Sequence, residues 1–318
     1  DWHINVEGSL RQYNEKYHWA VLPIYGYDTD NNPYPLSWNG GAAGYSEVQD
    51  YRASEDYFST NIFSDYSKTI GDHYFKVMAG FNAELYKNRS IEAIKNNLIS
   101  PDVPTIDTAT DDPQAYGGYN HTSVAGFFAR INWSYKDRYM FEANGRYDGS
   151  SRFVGDERWG FFPSFSLGWN AHEEGFLKDK TPFEQLKVRM GWGQVGNEAS
   201  AAQFGYISLM NSSYRAVIGD QLQQGQIQRT FANSELAWET AEQVNFGIDF
   251  GTLNMRLTGT IDYFVRTTKD MILRTPIPLY VGMGRANTNA GSMRNKGLEV
   301  TLRWNDKIGK DFNYSIGA

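Results

Sequence analysis

Apolar and polar positions alternate strictly over much of this chain. From Ala125 to Tyr135 the set Ala125, Phe127, Ala129, Ile131, Trp133 and Tyr135 interleaves with Gly126, Phe128, Arg130, Asn132 and Ser134. Successive side chains of a strand point to opposite faces, so this period of two gives each strand one greasy and one wet face. Lys136-Asp137-Arg138 then makes a short charged turn, and the return run sets Tyr139, Phe141, Ala143, Gly145 and Tyr147 against Met140, Glu142, Asn144, Arg146 and Asp148. The pair reads as a hairpin. The same alternation recurs over His73–Leu85, around Phe161 to Ala171, Leu186 to Trp192, Val244 to Phe250, Met255 to Arg266 and Leu298 to Trp304, and begins again at Phe312.

The connections differ in length in a regular way. Tight turns are expected at Gly71-Asp72, Lys136 to Arg138 and Gly251 to Asn254, and long loops at 13–56, 89–120, 197–239 and 268–295. A soluble sandwich has no reason to sort its connections by side, whereas outer-membrane barrels have short periplasmic turns and long outer loops. Aromatic residues close to the ends of the runs, among them Trp133, Tyr135, Tyr139, Tyr147, Trp169, Trp192 and Trp304, are placed to form interfacial girdles. The predicted fold is all-β: an antiparallel, up-and-down transmembrane β-barrel, of which about ten or eleven strands are present. An open sheet of that size with one lipid face leaves its edges unsatisfied in a membrane, so further strands are expected.

Composition supports the barrel and removes other classes. Aromatic residues make up 15% of the chain and glycine 31 of 318 residues, yet the mean hydropathy is −0.56. No stretch approaches the roughly 20 apolar residues of a membrane-spanning helix. A barrel reconciles these values, because only every second strand residue meets lipid. The balance of 30 Lys+Arg to 37 Asp+Glu, without any basic run, argues against nucleic acid as a partner. Cysteine is absent, which removes disulfides and thiolate metal sites. The opening Asp1-Trp2-His3-Ile4 lacks the basic start and apolar run of a signal peptide, so the true N-terminus is expected upstream.

An ordered series of motifs resembles the SusC/RagA family of TonB-linked outer-membrane proteins. It runs from Gly145-Arg146-Tyr147-Asp148-Gly149-Ser150-Ser151-Arg152-Phe153 to Trp159-Gly160-Phe161-Phe162-Pro163-Ser164. It continues through Gly191-Trp192-Gly193-Gln194-Val195-Gly196-Asn197, Leu236-Ala237-Trp238-Glu239, Asn245-Phe246-Gly247-Ile248-Asp249-Phe250 and Asn295-Lys296-Gly297-Leu298-Glu299-Val300. The resemblance implies a barrel of about 22 strands with an N-terminal plug. It also implies import of glycans or peptides, with a SusD-type surface lipoprotein as lid and the TonB complex as the source of force. The plug, the TonB-contacting segment and the C-terminal strands have no counterpart in this sequence, so residues 1–318 are expected to be part of the barrel domain. Within that picture Arg130, Glu142, Arg146, Arg189 and Asp249 face the lumen, where they hold the plug, line the path or satisfy one another.

Other signals point elsewhere but weakly. Gly191 to Gly196 matches the dinucleotide pattern G-x-G-x-x-G, yet Lys187 and Arg189 occupy alternate positions of the preceding strand and no strand–helix alternation follows. No cofactor is expected. The five histidines never approach metal-ligand spacing, and no metal site is expected either. Asp148, Asp156 and Glu157 lie near one loop and are the residues a hydrolase would use as an acid–base pair. The ordinary reading is that they are solvated loop residues, and no enzymatic activity is expected. Flat rings stack on sugar faces, which makes the loop aromatics Trp38, Tyr45, Trp159, Tyr206 and Tyr280 candidate substrate contacts. Their competing role is to pack loops or touch a partner protein. The alternative to a transporter wall is a soluble or surface-attached antiparallel β module that grips carbohydrate.

Overall fold

The structure is a computed structural model that describes residues 1–37, 42–178, 180–228 and 230–318. The chain folds as strands β1 (Trp2–Val21), β2 (Ile24–Tyr27), β3 (Pro33–Leu36), β4 (Glu47–Ile70), β5 (His73–Asn96), β6 (Gln114–Tyr135), β7 (Tyr139–Ser150) and β8 (Trp159–Asn170). These are followed by β9 (Phe183–Asn197), β10 (Met210–Ile218), β11 (Gln221–Gln228), β12 (Glu239–Thr252), β13 (Leu257–Arg274), β14 (Asn287–Ile308) and β15 (Phe312–Gly317). Eleven of them form one sheet in the order β1-β4-β5-β6-β7-β8-β9-β12-β13-β14-β15, and β2–β3 and β10–β11 are separate hairpins. Within the described residues the sheet does not return on itself: β1 and β15 are its two outer strands.

The chain divides into two compact units. The first comprises Asp1–Glu7, Thr60–Ala83 and Val124–Ala318. Here the predicted β6–β7 hairpin appears with the expected ends, Tyr135 opposite Tyr139. Its turn residues Lys136 and Asp137 both have positive φ, 50° and 54°, the left-handed pair that matches the twist of the flanking strands. Lys136 also binds Asp72 of the neighbouring turn at 3.1 Å, which holds its ammonium above its ordinary pKa. The β12–β13 turn is shifted from expectation. Leu253, Asn254 and Met255 all have positive φ, so Met255 belongs to the turn and β12 continues to Thr252.

The second unit comprises Gly8–Ser59 and Glu84–Ser123. Much of the segments expected as loops at 13–56 and 89–120 is strand here, as are parts of 197–239 and 268–295 in the first unit. The reason lies in the side chains: Glu47 and Glu55 on one face of β4 are matched by Asp50, Arg52 and Asp56 on the other. Backbone pairing needs no apolar face, so a strand wet on both sides leaves no period-two signal. This unit is held by side-chain contacts such as Tyr17 stacked on Tyr51 at 4.7 Å and the Arg89 guanidinium 5.0 Å from the Tyr119 ring. Asp28 accepts the backbone N–H groups of Asn32 at 2.8 Å and Asp30 at 2.9 Å, closing the β2–β3 turn. Those bonds, led by the one from Asn32, hold its carboxyl below its ordinary pKa.

Candidate functional site

The register sorts the first unit's side chains into two opposed surfaces. Phe127 lies opposite Tyr147 and Tyr147 opposite Phe161. Phe165 pairs with Trp192, Trp192 with Val244, Val244 with Val265, Phe246 with Tyr263, and Tyr263 with Leu298. The apolar set of each strand therefore continues that of its neighbour. Among the described residues no second layer covers these side chains: Phe161 is 61% exposed, Leu167 53% and Leu298 65%. Monomeric soluble proteins rarely leave a contiguous apolar surface of this kind in water.

The opposite face carries paired charges. Arg189 on β9 reaches across β12 to make a bidentate contact with Asp249, 2.7 Å for both Nε and Nη2, and a second contact with Asp262 on β13 at 3.1 Å. Gly247 makes this possible, since a Cβ there would stand 2.3 Å from Asp262 Oδ1 and 2.8 Å from Arg189 Cζ. Arg130 donates to Asn144 at 2.5 Å and lies 3.9 Å from Glu142, which also accepts from Asn144 at 2.8 Å and Asn132 at 2.5 Å. Arg146 binds Asp148 on its own strand at 2.7 Å. Because Arg189 is 38% exposed, its ion pairs are screened and worth about 1 kcal/mol rather than the 3 or more of a dry pair. A concavity of about 1050 Å³ overlies this face, lined by Arg130, Arg146, Gln243 and Arg266 among others.

The five lumen candidates thus fall into three neighbouring polar clusters on one face, and the loop aromatics each have their own surroundings. Trp38 lies outside the described residues. Tyr45 donates its hydroxyl to Glu47, which pushes its pKa up to about 12. Trp159 opens β8 stacked on Tyr147 at 5.0 Å and on Phe127 at 6.5 Å, continuous with the apolar face. Tyr206 meets Phe204 edge-on at 6.5 Å, and Tyr280 is 90% exposed. Of the three carboxylates, Asp148 is engaged by Arg146, whereas Asp156 and Glu157 lie in a single 3-10 turn, Gly155–Arg158.

Sequence reasoning did not find the loop cluster that the motifs build. Phe153 is 1% exposed and packs with Ala201, Leu236 and Ile272, with Trp238 partly buried against them. Trp238 lies 5.3 Å from Phe153 and 5.5 Å from Phe162, and its indole N–H donates to the Arg158 carbonyl at 3.2 Å. Glu239 is buried and accepts from Ile272 N at 2.7 Å, Asn197 Nδ2 at 2.6 Å and Ser200 Oγ at 3.1 Å. The cluster ties the 151–158 connection to the 198–238 connection and to β13. The match to the dinucleotide pattern has a packing cause as well, since a Cβ on Gly196 would meet Phe162 Cζ at 2.1 Å.

A sheet with one uncovered apolar face and one wet, charge-paired face is the wall of an outer-membrane β-barrel. Known proteins agree. The family model "TonB dependent receptor-like, beta-barrel" matches residues 2–318, and the chain belongs to this family of outer-membrane barrels. The TonB-dependent receptor SusC of Bacteroides thetaiotaomicron is 34% identical over 294 residues, 91% of this chain and 28% of SusC. The TonB-dependent receptor P3 of Formosa agariphila is 30% identical over 280 residues, 87% of this chain and 28% of P3. In fold, the chain superposes on a structure of the RagAB peptide importer with a TM-score of 0.84 at 22% identity, covering 99% of this chain and 34% of that one. The chain therefore spans about a third or less of the length of these relatives.

Proposed function

We propose that this chain is part of the barrel wall of a TonB-dependent transporter that imports glycans or peptides across the outer membrane with a SusD-type surface lipoprotein as its partner. The wall is the passive element. Outer loops capture a ligand too large for open pores, and force delivered through TonB rearranges a plug seated against the charged inner face. The observation that carries this reading is the two-sided sheet, in which Arg189, Asp249 and Asp262 pair on a wet face while Phe161, Leu167 and Leu298 stay uncovered on the other. A wall holding a plug must present polar groups that are strong enough to grip and screened enough to release.

The test uses the gene in its own cell. Deleting it is expected to abolish uptake of at least one oligosaccharide or oligopeptide, and uptake by the intact strain is expected to stop when TonB is removed. Undiminished uptake of every glycan and peptide offered, or recovery of the protein from the soluble fraction without detergent, would contradict the proposal.

A further inference from the structure

Within the first unit, the connections at 198–238 and 275–286 enclose a second cavity of about 520 Å³, inside the range of small-ligand sites. Its walls include Phe204, Leu209, Phe231 and Leu236, together with Arg274 and Arg285; no Asp or Glu is among the described lining residues. The fold brings the two arginines together. Arg274 ends β13 opposite Asn287, and the Thr275 N–H continues the ladder to the Ala286 carbonyl at 3.3 Å, which places Arg285 on the same face as Arg274. A bridge between Thr230 and Gly284 carries Phe231 to the same place. Neither guanidinium has an ion pair or hydrogen bond among the described residues, unlike Arg130, Arg146 and Arg189 on the inner face. Phe204 holds a positive φ of 55°, a costly conformation for a bulky residue.

We infer that this cavity captures the C-terminal residue of a peptide, an inference that rests on the import function proposed above. Two unpaired guanidinium groups on one rim match one carboxylate, to which arginine binds in a fork of parallel hydrogen bonds. The remaining wall sets the large apolar side chains of Phe204, Ile207, Leu209, Phe231 and Leu236 beside the polar Gln203, Thr230 and Asn287. A sugar ring carries hydroxyl groups around its edge and needs polar partners on every side, whereas Gln203, Thr230 and Asn287 share this wall with five large apolar side chains. An apolar side chain beside a free α-carboxylate needs what the cavity offers.

The experiment compares two fluorescent tetrapeptides ending in leucine, one a free acid and the other its C-terminal amide. They are titrated into the detergent-purified protein expressed from its own gene. The acid is expected to bind about tenfold tighter or more, the loss expected when one charge-assisted contact is removed. The double variant R274Q/R285Q is expected to bind both peptides at the amide's level, with R285Q alone intermediate and migration on unheated gels reporting that each variant is folded. Equal binding of acid and amide, no binding of either, or an undiminished preference in a folded double variant overturns the inference. Uptake by cells separates it from the import reading: peptide import indifferent to amidation removes the cavity's role alone, and acid-selective binding without import removes the import reading alone.

Discussion

Phe153 and Phe161 are eight residues apart and meet opposite fates. Phe153 is 1% exposed, enclosed by Ala201, Leu236 and Ile272; Phe161 is 61% exposed on a face that the described residues of the first unit leave uncovered. The hydrophobic effect asks the same of both rings, removal from water. In the loop cluster protein supplies the cover, and on the sheet hydrocarbon must supply it. The contrast shows that one sequence carries two apolar cores, only one of which is made of protein.

The first way to break the contrast is Phe153→Ala. It removes a ring that protein alone encloses and should cost about 3–5 kcal/mol, read as a lower urea midpoint with or without lipid. A charge on the other apolar surface behaves differently. Phe246→Arg should cost about 2–4 kcal/mol in vesicles, whereas Thr301→Arg on the wet face should cost under about 1 kcal/mol; equal costs would mean that the two faces see the same solvent. Gly247→Ala pushes a methyl group into the bridge between Arg189 and Asp262 and should cost about 1–3 kcal/mol, with little further loss when Arg189→Ala is added, because one contact is being lost twice.

Two smaller effects belong to the short-turn end. Glu174 accepts from the Tyr139 hydroxyl and from the Trp169 indole at 3.2 Å and lies 3.6 Å from Arg138. These partners, the Tyr139 hydroxyl first, hold its carboxyl below its ordinary pKa. A depressed folded pKa gives stability that is complete above the ordinary carboxylate range and is lost as pH falls through the folded value. Glu174→Gln should therefore lower the unfolding midpoint at neutral pH and flatten its fall on acidification. Asp137→Gly relieves a positive φ of 54° at the β6–β7 turn and should raise stability by up to about 1 kcal/mol.

Much of the sheet was legible because lipid on one face and water on the other write a period of two into the sequence. The β6–β7 hairpin emerged with its ends in place, and the Arg130, Glu142, Arg146, Arg189 and Asp249 set emerged as one face. The signal was present at the start of β1 too, where Trp2, Ile4 and Val6 alternate with His3, Asn5 and Glu7, although no strand was assigned there. It vanishes in β4 near Glu47 to Ser59, which is wet on both sides. The Phe153 cluster and the Arg274–Arg285 cavity were not legible for a different reason. Each joins connections far apart in sequence, such as Phe204 with Arg285, and no local pattern encodes which loops meet. The motif Leu236-Ala237-Trp238-Glu239 was recognisable as a string, but its packing role required knowing that Phe153 and Ile272 would arrive beside it.

The chain has no cysteine, which makes single-cysteine spin labelling in vesicles the most direct test of a two-sided wall. Labels at Phe161, Leu167, Ile261 and Val300 should show high accessibility to oxygen and low accessibility to a water-soluble nickel chelate, and labels at Ser166, Thr260 and Thr301 the reverse. Matching accessibility on both rows, or protection of the apolar row from both reagents, would mean that lipid does not cover those side chains.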